Sequence, residues 1–415
     1  MSNFNFDVAA ATAILKNRYT TKKIETLAFK SSLLGIMPKD PNQGGVQYVG
    51  AIRSAIGSAV SASDTVAFTT GSSSVYNQWL CPWKSAYASA NVTGEAIDRS
   101  KGEANALVDA MVSEFDGAFI GLGQKLGADL FGDGGGSFGQ ISTGSNVATN
   151  TITLAVPSQI FNFFQGQILQ VSSDDGTGGA LVRTGTVNVT GVDINLGTIT
   201  VSGASWAAGI AAAAPGDYIF MNGNYNGAIA GIDAWIPTQA ERNAGRLTAA
   251  FNGVVRSADP VRLAGVAYQG NGAPKSESMI QLGMLVQRMN GRPDIFVTNP
   301  VDYADLEREL GSRVQYITVE SFENAQIAFE GINLATPYGH VKILNDIFCP
   351  QGQGYMLELD SWLIPSMGEL IRVAGEGIDG LQWLRQAGAD AYQMRALYRA
   401  STYCSAPGHN GTVQF

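Results

Sequence analysis

Histidine is almost missing from this chain: His340 and His409 are the only two in 415 residues. A His-based hydrolase or a His-ligated metal centre therefore has few candidate groups, and neither histidine has a Cys or Asp at ligand spacing. Cysteine is scarce as well. Cys81, Cys349 and Cys404 are odd in number and widely scattered, which suits neither a disulfide framework nor a CxxC metal site and points to a reducing compartment. Charged residues make up 15% of the chain, against about 25% in ordinary soluble domains. The longest uncharged stretches, such as Ile194 to Gly216, are broken by Gly, Ser, Thr and Asn, so no segment reads as a membrane span. The acidic start MSNFNFDV does not read as a signal peptide. No GxSxG, HExxH or Walker-type P-loop occurs, and GGGSFG (Gly134 to Gly139) fits GxGxxG only in letters, because a helix pattern precedes it and a Ser/Thr/Asn loop follows. Catalysis is short of tools.

What the chain does have is glycine, 50 residues without a Gly-X-Y period, together with 45% hydrophobic residues and a net charge of −9. This favours turn-rich β structure around a substantial core. Residues 1–43 run against the acidic balance, with Lys16, Arg18, Lys22, Lys23, Lys30 and Lys39 opposed only by Asp7, Glu25 and Asp40. Within them Ile24, Leu27, Ala28, Leu34 and Met37 recur at helical spacing until Pro38 and Pro41. This is an amphipathic arm with no core of its own.

Residues 44–92 change to two extended stretches, Val46 to Ile52 and Val75 to Ser89, joined by a Ser/Gly/Ala-rich segment. Val75, Trp79, Cys81, Trp83 and Tyr87 share one face at period two. An isolated hairpin is marginal in water, so that aromatic face needs another surface, elsewhere in the chain or on a neighbouring subunit. Residues 93–148 contain a long helix, Glu103 to Leu130, striped by Leu107, Met111, Phe115, Ala118, Leu122 and Leu126, and ended by FGDGGGSFGQISTG. Residues 149–226 are nearly uncharged and rich in Val, Ile, Thr, Asn and Gly, which predicts an all-β insertion of five or more strands. Residues 227–375 are mixed: a helix over Ser276 to Met289, a buried strand Ile295 to Thr298, and a helix starting near Pro300. Residues 376–415 return as a strand, Met394 to Tyr403. The fold class is α+β.

In this order of segments the sequence resembles the major capsid proteins of tailed bacteriophages, the HK97-like fold. The resemblance rests on DLFGDGGGSFGQISTG at the end of the long helix, on LVQRMNGRPDIFVTNPVDYADL, and on IAFEGINLATPYG with its following strand. It implies an N-terminal arm (1–43), an extended β-hairpin loop (44–92), a peripheral domain with a spine helix (93–148), an all-β insertion domain (149–226), an axial domain with peripheral segments (227–375) and C-terminal return strands (376–415).

By the same resemblance the protein is a non-enzymatic shell component with no cofactor. It is made in the host cytoplasm and resides in the virion. Its expected partners are identical subunits in hexamers and pentamers, packaged double-stranded DNA, and portal and scaffolding proteins. Leu27, Leu34, Trp79, Trp83 and Tyr87 are the candidate intersubunit contacts, so Trp79→Ala or Trp83→Ala should impair assembly more than folding. Lys16, Arg18, Lys22 and Lys23 are the candidate inner-face basic residues. Lysine–asparagine cross-linking occurs in the founding member, and Lys84 is the only Lys of the extended region, but no acid can be placed beside it. The rival from another class is a β-rich surface or tail adhesin, suggested by the uncharged insertion.

Overall fold

The computed structural model describes residues 31–55, 57, 61–70, 73–95, 108–178, 182–310, 333–336, 339–374, 384–386 and 388–415. The first described element is a single helical turn, α1 (Ser32–Ile36), whose N-cap Ser31 accepts a hydrogen bond from Leu34 N at 3.2 Å. Asp346, from a distant loop, accepts from Ser31 Oγ (2.7 Å) and from Leu33 N (3.0 Å). These bonds satisfy first-turn donors that the helix itself cannot pair. Leu33 is fully buried. Pro38 follows, and Lys39–Asp40 continues as a parallel partner of Trp362–Pro365.

Strands β1 (Gln47–Ala55) and β2 (Val75–Pro82) form a two-stranded antiparallel ribbon, with Gln47 opposite Pro82 and an irregularity between Arg53 and Ala55. The second extended stretch does not continue along this partner. It breaks at Trp83, and β3 (Lys84–Thr93) pairs instead with the C-terminal strand Ala391–Ala400, from Lys84 opposite Ala400 to Thr93 opposite Ala391. The break also resets the alternation: odd positions Trp79 and Cys81 are buried in β2, whereas Ala86, Ala90 and Val92 are buried in β3 and Tyr87 faces out. The single face predicted for Val75 to Tyr87 is therefore two faces.

Helix α2 (Val108–Phe131) has 24 residues, about 36 Å at 1.5 Å per residue. Leu122, Leu126 and Leu130 are buried at steps of four and belong to the main core. The helix is fastened to Ala391–Ala400 by polar groups. Tyr398 donates its hydroxyl to Asp129 Oδ2 at 3.0 Å, and Lys125 Nζ donates to both Asp129 and Tyr398.

After α2 comes a β module: β4 (Gly139–Gln140), β5 (Thr151–Thr153), β6 (Ile168–Ser172), β7 (Val187–Asp193), β8 (Thr198–Val201) and β9 (Tyr218–Met221). Their order in the sheet is β4-β9-β6-β7-β8-β5. A bridge between Ile141 and Leu154 joins the two outer strands, so the sheet closes into a six-stranded barrel. Its core includes Phe138, Ile141, Ile152, Leu169, Val189, Ile199, Trp206 and Ile219. The module begins near Phe138, ahead of the expected Thr149, because the glycine-rich run itself supplies the first strand.

The remaining body is a mixed six-stranded sheet with helices α3 (Lys275–Arg288) and α4 (Pro300–Leu310). Its strands are β10 (Val266–Gln269), β11 (Ile295–Thr298), β12 (Asn333–Thr336), β13 (Gly339–Asn345), β14 (Gln353–Leu357) and, after Ala391–Ala400 (β15), β16 (Gly411–Gln414). The order is β10-β16-β14-β11-β13-β12. All four residues of β11 are buried, as a central strand covered on both faces requires. Met279, Leu282 and Val286 turn the apolar face of α3 onto this sheet's core.

Candidate functional site

The ribbon β1–β2 has an inner and an outer face, set by its register. Tyr48 with Cys81 and Gly50 with Trp79 lie on the inner face. Trp79 is fully buried, its ring centroid 5.0 Å from Trp235 and 6.2 Å from Phe251, and Trp235 in turn meets Trp362 and Tyr403 edge-on. Trp79 is therefore core of its own subunit. The expectation that it awaits a neighbour is corrected: the rings of Trp235 and Phe251 come from later segments and cover it within the chain.

The outer face is different. Val49 is 50% exposed and Tyr76 67%. Gln78, Ala51 and Arg53 on this face are exposed as well, while Leu80, opposite Val49, is half-buried and lies against Gly253. A strand pair of this kind, fixed on one side and largely open on the other, offers apolar area to a second molecule. Alternation marks one face of each strand as apolar, but which face meets the core depends on Trp235, Phe251 and Tyr403, which local periodicity does not place.

The other expected contact residues scatter. Trp83 is half-buried and donates its indole N–H to Gly45 O at 3.1 Å. Tyr87 is 61% exposed on the opposite side of β3, its hydroxyl 3.5 Å from Arg399 Nη2. Leu34 is half-buried against the main core. Leu27 and the basic residues Lys16, Arg18, Lys22 and Lys23 lie outside the described residues. Lys84 donates to the main-chain oxygen of Asn226 in its own chain at 2.7 Å.

Of the two histidines, His409 has a partner after all, Glu358 Oε2 at 2.8 Å from its Nδ1, and His340 is exposed on β13. All three cysteines are free and buried. Among the described residues no group of three or more His, Cys, Asp or Glu side chains is arranged to hold a metal, and no helix is long and apolar enough to cross a membrane.

Ribbon, long helix, β barrel and mixed-sheet body together make an α+β fold of the HK97-like kind. Among solved structures the chain is similar to the cyanophage A-1(L) capsid asymmetric unit, with 12% identity over 97% of both chains and a TM-score of 0.55. The capsid of a native GTA particle aligns over 98% of both chains at 9% identity and TM-score 0.49. The SrpI encapsulin of Synechococcus elongatus aligns over 98% of this chain and 94% of its own at 10% identity and TM-score 0.47. No protein-family model matches the sequence, and no curated protein does.

Proposed function

We propose that this chain is the major capsid protein of a double-stranded DNA tailed phage, a structural subunit that closes into an icosahedral head as hexamers and pentamers. The observation that carries this reading is the end-to-end agreement of the fold with the cyanophage A-1(L) capsid subunit over 97% of each chain. The outer face of the β1–β2 ribbon supports it: Val49 and Tyr76 gain cover when an identical subunit lies against them. In the assembled head, Leu27, Leu34, Trp83 and Tyr87 belong to the contacts between subunits, Trp79 does not, and Lys16, Arg18, Lys22 and Lys23 face the packaged DNA without sequence preference. Portal and scaffolding proteins complete the partner set.

Electron microscopy of the purified full chain tests the reading. Closed shells of uniform diameter are the expected result. Compact monomers under every assembly condition overturn it.

A further inference from the structure

The chain crosses between body and barrel twice, and the two crossings touch. On the way out, α2 ends at Phe131 and Asp133 is followed by Gly134 (φ 91°) and Gly136 (φ 89°), a left-handed geometry suited to glycine. On the way back, Asn224 Nδ2 donates to Gly136 O (2.9 Å), Asn226 N donates to Gly135 O (2.8 Å), and Gly231 lies so close that a Cβ there would be 2.4 Å from Asp129 O. Asp233 follows two residues on. The barrel hangs from this pair of adjacent chain segments.

One guanidinium spans them. Arg246 Nη2 is 3.3 Å from the main-chain oxygen of Asp133 and 3.9 Å from its carboxylate. Arg246 Nη1 is 3.9 Å from Asp233 Oδ2 and makes its shortest contact with Glu241 Oε1. Three carboxylates thus share one cation, with Asp175 of the barrel adding a fourth negative charge nearby. Around the cluster also stand Asp174 and Tyr218 from the barrel, Tyr355 from β14, and Arg242 and Arg256, whose charges act on one another and on Arg246. The Asp233 carboxyl is buried and lies against that of Glu241, where one proton can be shared between them. A cavity of 260 Å³, lined by Asp133, Asp233 and Gln159, opens beside the cluster and gives water a way in.

We propose that this junction is a proton-tightened hinge: Asp133 and Asp233, one from each crossing, are buried beside Glu241 with Arg246 as their shared cation, so that a proton added to this excess of buried negative charge closes the barrel onto the body. The carboxyls respond in the required direction. Burial first, then the neighbouring Asp175 and Glu241, push Asp133 up to about 6 against the pull of Arg246, and burial with Glu241 pushes Asp233 well above the usual carboxylate range. Asp133 therefore titrates in mildly acid solution. The closed junction holds its proton to about pH 6 and the opened one only to 3.8, so closure is favoured as pH falls through 6 and weakened as it rises. The inference concerns the attachment of the barrel and stands whether or not the chain builds shells.

Hydrogen exchange of the full-length subunit, corrected for the intrinsic rate at each pH, reads the opening of residues 132–137 and 224–232. The expected result is an opening equilibrium about tenfold smaller at about pH 5 than at about pH 7. In Asp133→Asn, whose amide oxygen keeps the bond from Gly135 N, the dependence is lost and the junction stays closed. Glu241→Gln frees Arg246 for the two aspartates and moves the transition to lower pH. Equal opening of the native protein at both pH values overturns the hinge, as does an unchanged pH dependence in Asp133→Asn. If that variant does not fold, an unshifted transition in Glu241→Gln has the same force.

Discussion

The ring of Tyr403 lies directly over Gly50: a Cβ placed on Gly50 would sit 2.1 Å from Tyr403 Cε2. The ribbon is thus clamped to the body where its backbone is bare, and Tyr48 completes the clamp with its ring 5.1 Å from that of Tyr403. Gly50→Ala forces the ring or the strand to move. A loss of about 1–3 kcal/mol in chemical denaturation is expected, as for overpacked cores, and Tyr403→Ala, destabilising by itself, should cost less in the Gly50→Ala background than in the native chain.

Trp79 is the deeper anchor. Removing its side chain leaves a cavity among Trp235, Phe251 and the main core, so Trp79→Ala should cost about 3–5 kcal/mol of subunit stability. Urea unfolding of the unassembled subunit measures this directly. A variant as stable as the native chain would mean that the tryptophan does not pack as described.

Tyr76 and Val49 predict the opposite pattern. Both are half or more exposed, so Tyr76→Ser and Val49→Ser should change subunit stability by no more than about 0.5 kcal/mol. Shell yield, followed by light scattering, should fall with each and fall furthest in the double variant. Normal assembly of the double variant would remove the ribbon's outer face from the proposed contacts.

The thiols give a pH test. Burial pushes Cys81 and Cys404 up to about 12 from 9.0, and Cys349 in the same direction. At about pH 8 the folded chain should resist thiol reagents, and unfolding should expose all three groups. Because the folded form keeps these protons longer than the unfolded form, stability falls as pH climbs from about 9 towards 12.

The sequence made some of this fold readable. The spacing in α3, the unbroken apolar run of β11 and the Asn-Pro step before α4 are local signals: the observed bounds Lys275–Arg288 and Ile295–Thr298 lie within a residue of the expected ones, and α4 starts at the expected Pro300. The phase change at Pro82–Trp83 was also written in the chain, since Ala86, Ala88, Ala90 and Val92 alternate with Ser85, Tyr87, Ser89 and Asn91, but the larger rings drew the pattern to the odd positions. The pairing of β3 with β15 was not readable, because partners some 300 residues apart leave no local periodicity. Nor was the covering of Trp79, which depends on Trp235 and Phe251, rings from much later in the chain. The cluster around Arg246 escaped for the same reason: its carboxylates come from either side of the insertion and meet only when the barrel is in place.

The barrel's closure has one more consequence. Its two ends meet at a single root and its sheet has no loose border, so the whole module can be lost, exchanged or enlarged as a cassette without rethreading the helix before it or the sheet after it. The turn from Asp193 to Gly197, where Ile194 and Leu196 stand exposed, is the place to graft a foreign peptide.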